Sequence, residues 1–97
     1  MNETRQPVIV CTEHRGVFFG YIDKFPDTVP TEIKLEDAKM CVYWDTSING
    51  VLGLASGKSL SKCKITPSIK SVLLNKVTAV LEVDAQSEKE WLKDNWA

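Results

Sequence analysis

A chain of 97 residues, 43% hydrophobic and 26% charged, is one ordinary globular domain: too short for a second domain and too apolar for a disordered segment. Its formal charge of −1, with 12 basic and 13 acidic side chains spread along the whole length, argues against the concentrated positive face that duplex DNA requires. No apolar run approaches the roughly 18 residues of a membrane span, and the opening MNETRQP has no cationic segment leading into an apolar core, so a cytoplasmic protein is expected.

Pro7 precedes the apolar run Val8, Ile9, Val10 and Cys11, and Glu13, His14, Arg15 and Gly16 supply polar turn residues. The spacing predicts a hairpin whose return strand covers residues 17–25. On that strand Val17, Phe19 and Tyr21 share one face, while Phe18, Gly20 and Ile22 share the other. Both faces are apolar, which suits a small curling sheet covered on both sides, with Gly20 permitting the bend. Pro26 and Pro30 make a rigid connector. Residues 32–37 alternate, with Ile33 and Leu35 inward against Lys34 and Glu36.

Residues 40–44 (MCVYW) read as a further two-faced strand, and Asn49-Gly50 predicts a turn before a strand over 51–55. Residues 56–61 are a Gly/Ser/Lys loop. Residues 64–66 pair briefly before Pro67, residues 71–74 are extended or a short turn, and 77–83 form the last strand, with Val77, Ala79, Leu81 and Val83 inward. A helix is expected over 87–96. Ser87 and Glu90 fit a capping box at its start, and Trp91, Leu92 and Trp96 fall on the side that lids an open end of the sheet.

This order of short strands, glycine bends and one C-terminal helix predicts a mainly β fold, a small SH3-like or Sm-like barrel over residues 7–84 within a single domain. VIVCTEHRGVFFGYIDKF followed by EIKLEDAKM resembles the first Sm motif: a turn glycine, a second glycine in a bent strand, an aspartate, and a later I-x-L-x-D strand. The resemblance covers residues 8–40, and no second Sm motif follows Met40. It implies an oligomer that binds RNA or another single-stranded nucleic acid. The series TEHRGVFFG, LEDAKMCVYW, GVLGLASG and VTAVLEV resembles a small domain of unknown function that recurs in phage and prophage gene sets. That resemblance implies a viral accessory protein.

Decisive catalytic or metal signatures are missing from the sequence. The three cysteines, Cys11, Cys41 and Cys63, form an odd set that reads as free buried thiols. Cys11-x-x-His14 supplies one close pair, whereas structural zinc usually takes two, so no metal is expected. As nucleophile and base, the same pair lacks an orienting group. Gly53 to Ser59 suggests a phosphate loop, but position 52, where that motif needs glycine, is Leu52.

The residues expected to bind a ligand are His14 and Arg15 at the hairpin tip, Tyr43 and Trp44 as a stacking surface, and Lys58 and Ser59 in the loop. Together they predict a non-catalytic protein, without cofactor, that sequesters a small nucleotide-like ligand or blocks a host defence protein. Homo-oligomerisation through the second apolar strand faces is part of that expectation. The alternative is the Sm-like binder of single-stranded nucleic acid.

Overall fold

The computed structural model describes residues 5–13, 16–48 and 50–93. Its strands are β1 (Gln6–Thr12), β2 (Val17–Ile22), β3 (Glu32–Tyr43), β4 (Lys64–Ile65), β5 (Ile69–Asn75) and β6 (Val77–Glu82), followed by helix α1 (Ala85–Trp91). They make one antiparallel sheet in the order β4-β3-β2-β1-β6, with β5 paired to the first half of β3.

The predicted hairpin forms, with Val8 opposite Gly20 and Val10 opposite Phe18. Thr12 closes its turn twice: its N–H donates to the Gly16 carbonyl at 2.9 Å, and its Oγ1 accepts from the Gly16 N–H at 3.2 Å. Both faces of β2 are buried. Val17, Phe19 and Tyr21 enter one core cluster with Ile9, Leu54, Leu60 and Trp91. Phe18 and Ile22 pack on a second, built from Val8, Val10, Leu35, Ala38 and Leu74. The second face of β2 is therefore covered by the same chain, which removes the argument for a subunit interface there.

Gly20 sits where β3 crosses closely, since a Cβ on it would lie 2.7 Å from Leu35 Cβ and 3.2 Å from the Glu36 carbonyl. At this point the register slips: Phe19 faces Lys39, but Tyr21 faces Glu36, leaving one extra residue on β3. Asp37 absorbs it with φ 49°, a conformation that aspartate tolerates better than most side chains. The bulge bends β3 and reverses which of its side chains point inward.

The sheet is not closed into a barrel. Among the described residues β5 pairs only with β3 and β6 only with β1, although a single residue, Lys76, separates them. The two edges meet at that corner, where the Glu13 N–H donates to the Lys76 carbonyl at 3.0 Å and the Val77 N–H to the Thr31 carbonyl at 3.3 Å.

Four local expectations are corrected. Residues 40–44 are not a separate strand: 40–43 end the 12-residue β3, where Val42 and Tyr43 are exposed, and Trp44 lies beyond it. The strand expected over 51–55 is a 3₁₀ helix, Val51–Ala55, whose Gly53 packs against the Ile48 backbone. Val77 joins the second cluster rather than the first, because a register shift between Cys11 and Thr12 turns it over. The helix starts earlier, at Ala85, with Asp84 as N-cap accepting the Ser87 N–H at 2.8 Å. Trp96 lies outside the described residues.

Candidate functional site

α1 is seven residues long and could not persist alone, so its partners hold it. Trp91 is fully buried, its ring stacked on Phe19 at 5.1 Å between centroids, and its Nε1–H donates to the Leu54 carbonyl at 3.0 Å. Ser87 Oγ accepts the Gly57 N–H, and Glu90 Oε1 accepts the Leu60 N–H at 3.0 Å. The two side chains expected to cap the helix thus pin the 57–60 loop instead. Buried polar groups go where they satisfy otherwise unpaired donors.

Glu90 also accepts from Lys93 Nζ at 2.9 Å. That bond and the Leu60 N–H hold its carboxyl below the ordinary value of 4.5, against the opposing effect of burial. A depressed carboxylate adds stability above its unfolded value, and that contribution is lost as pH falls through the folded one. Urea midpoints should therefore drop as pH is lowered below about 4.5, and Glu90→Gln should flatten that drop. An unchanged pH dependence in the variant would show that Glu90 carries none of it.

The opposite end of α1 borders a cleft of about 540 Å³ lined by Arg5, Tyr21, Asp37, Lys39, Pro67, Ser68 and Leu92. Arg5 lies over the Tyr21 ring, 4.2 Å from its centroid, and pairs with Asp37 at 2.8 Å and Glu36 at 3.9 Å. Tyr21 donates its hydroxyl proton to Glu88 Oε2 at 2.6 Å. Burial and the Glu88 carboxylate raise its pKa well above the ordinary 10, so the proton stays on the phenol.

Lys39 is the unusual member. It is 8% exposed, and its ammonium donates to the Trp91 carbonyl at 2.8 Å, capping the helix C-terminus. No carboxylate among the described residues forms an ion pair with it. A buried, charged lysine is normally paired, and this one borders open space. A shallower hollow of about 170 Å³, under Phe25 to Val29, has Asp27 and no cation in its wall.

Of the residues expected from sequence to bind a ligand, the described ones fall elsewhere. His14 and Arg15 lie outside the described residues. Tyr43 is half exposed at the end of β3, opposite Lys64 of β4, while Trp44 packs against the first core cluster. Lys58 and Ser59 are exposed in the loop pinned to α1, and Ser59 Oγ donates to Ser61 Oγ at 3.3 Å. Of the loop amides expected to cradle an anion, that of Ser56 donates to the Gly53 carbonyl and that of Gly57 to Ser87. None of the four described ones, Tyr43, Trp44, Lys58 and Ser59, lines the cleft at α1.

Sequence reasoning missed Lys39 because plain alternation along β3 gives no hint of the bulge at Asp37. The signal was a lone lysine set between Ala38 and Met40.

Cys41 and Cys63 are both buried in the first cluster, and burial, then the neighbouring Cys63, pushes the Cys41 thiol up to about 12. Burial likewise raises Cys11 and Cys63. Thiols so protonated are poor nucleophiles and poor metal ligands. Among the described residues no group of three or more His, Cys, Asp or Glu side chains is placed to hold a metal ion, and no helix is long and apolar enough to cross a membrane.

No curated protein and no solved structure matches the chain. The model of the family DUF6948, described as a domain of unknown function, matches residues 5–91, and the chain belongs to that family.

Proposed function

We propose that the protein is a non-catalytic, phage-type accessory protein that sequesters a small nucleotide-like ligand in the cleft beside the C-terminal end of α1. One observation carries this reading: a buried ammonium, Lys39, without a carboxylate partner among the described residues, in the wall of a cleft of about 540 Å³. Pockets of roughly 300–1,000 Å³ with a few convergent polar groups suit small organic ligands. The raised thiols leave no activated cysteine nucleophile, which favours binding over catalysis. The phage setting rests on the sequence resemblance alone.

Homo-oligomerisation belongs to the proposal through the outer edge of β5, where Ile69 and Leu73 are 55% and 79% exposed, rather than through β2. The curled order β6-β1-β2-β3-β5, whose ends meet at Lys76, favours an open SH3-like or Sm-like barrel as the finer fold, and with it the second reading, a binder of single-stranded nucleic acid.

Thermal unfolding with a panel of mononucleotides, dinucleotides and oligouridine separates these readings. A ligand at about 100 times its dissociation constant stabilises by roughly 2.7 kcal/mol. Sequestration predicts a mononucleotide or dinucleotide shift that Lys39→Met abolishes and Lys58→Ala preserves. A shift with oligouridine alone, or one abolished by Lys58→Ala and kept by Lys39→Met, would move the site to the loop or favour the nucleic-acid reading.

A further inference from the structure

The charge balance around the cleft limits what it can hold. We infer, on the reading of this cleft as a ligand site, that it selects an organic anion bearing a single negative charge, a phosphodiester or a carboxylate, and rejects polyphosphates. Among the described residues two cations stand in the wall. Arg5 is already taken up by Asp37 at 2.8 Å and Glu36 at 3.9 Å, and its guanidinium is held over the Tyr21 ring. Among the described residues Lys39 has one acceptor, the Trp91 carbonyl, leaving two of an ammonium's three donors for a ligand.

Against them in the wall stands Asp37, paired with Arg5, while Glu36 and Glu88 stand outside the lining, the latter accepting the Tyr21 hydroxyl proton at 2.6 Å. The first negative charge brought in is matched by Lys39. A second negative charge finds no further unpaired cation among the described lining residues, because Asp37 holds Arg5, and it meets the Asp37 carboxylate in a partly desolvated wall, where like charges are poorly screened.

Lys34 and Lys70 do not change this balance within the cleft. They line a separate hollow of about 240 Å³, with Arg5 and Asp37 forming the wall between the two. The ammonium meets a carboxylate or a phosphodiester as a compact point charge with rotatable donors. Ser68 adds a hydroxyl, and Pro67 and the 55% exposed Leu92 provide apolar wall for the ligand's organic body.

The test is an NMR titration of the whole protein with dimethyl phosphate, acetate and pyrophosphate at constant ionic strength, following the Ser68 amide and the Leu92 methyl groups. Dimethyl phosphate or acetate should give saturable shifts, and whichever is tighter assigns the site to phosphodiesters or to carboxylates. Pyrophosphate should bind at least about tenfold more weakly, a difference of about 1.4 kcal/mol. Lys39→Met should abolish the response while leaving the rest of the amide spectrum in place. Pyrophosphate binding as tightly as the monoanions would overturn the selectivity and leave the ligand site standing. A response retained by Lys39→Met, or no saturable shift from any of the three anions, would overturn the site itself.

Discussion

Replacing Trp91 by alanine lowers the free energy of unfolding by about 3–5 kcal/mol, the cost of removing a fully buried tryptophan. Three losses add up: the stack on Phe19, the hydrogen bond to the Leu54 carbonyl, and the plug that α1 places in the first core cluster. Domains of this size hold only about 5–15 kcal/mol in total, so the variant should melt at least about 12 °C lower or be partly unfolded at 25 °C. Trp91→Phe separates the contributions. It can keep the ring stack and leaves the Leu54 carbonyl without its donor, a cost of about 1–3 kcal/mol. Thermal and urea unfolding measure both, and an alanine variant within 1 kcal/mol of the parent would mean that α1 is not docked as described.

Gly53→Ala is expected to cost about 3 kcal/mol, the upper end of what overpacking usually does. A Cβ at this position would stand 1.7 Å from the Ile48 carbonyl oxygen and 2.8 Å from its carbon. Those are backbone atoms, which cannot swing aside as the tip of a side chain can. The Val51–Ala55 turn must move as a unit, carrying with it Leu54, whose carbonyl holds the Trp91 indole. Urea unfolding should show the loss, and tryptophan fluorescence should report the displaced indole. A variant destabilised by less than 1 kcal/mol would show that the approach of this turn to Ile48 is looser than described.

The sequence made the double burial of β2 legible because the alternation of Val17, Phe19 and Tyr21 against Phe18 and Ile22 is a local property of the strand. Gly20 was legible as a glycine that permits a bend, but not as the point where β3 crosses closely. The start of α1 was not. Ser87 and Glu90 fit a local capping pattern, but their side chains are taken by the amides of Gly57 and Leu60, each 30 residues away. Long-range competition of this kind leaves no trace in a short window.

The 3₁₀ turn at 51–55 was misread because a five-residue apolar run has no period that separates an extended from a coiled backbone. The candidate site suffered most, since it depends on one extra residue in β3. The bulge at Asp37 places Lys39 under the helix end, and only the pairing of β3 with β2 reveals it. Tyr43 and Lys58 are legible by residue type, whereas the burial of Lys39 depends on register.

The central claim is that Lys39 serves a ligand and is more than a helix cap. Native mass spectrometry of the parent protein and of Lys39→Met, both released from cells without denaturation, tests it most directly, because methionine keeps the length of the side chain while removing the costly buried charge, and the spectrum's charge states report whether the variant is folded. The account predicts that the parent carries an additional small-molecule mass, and that the folded variant has lost it. A parent with no retained mass, or the same mass on both proteins, would contradict it.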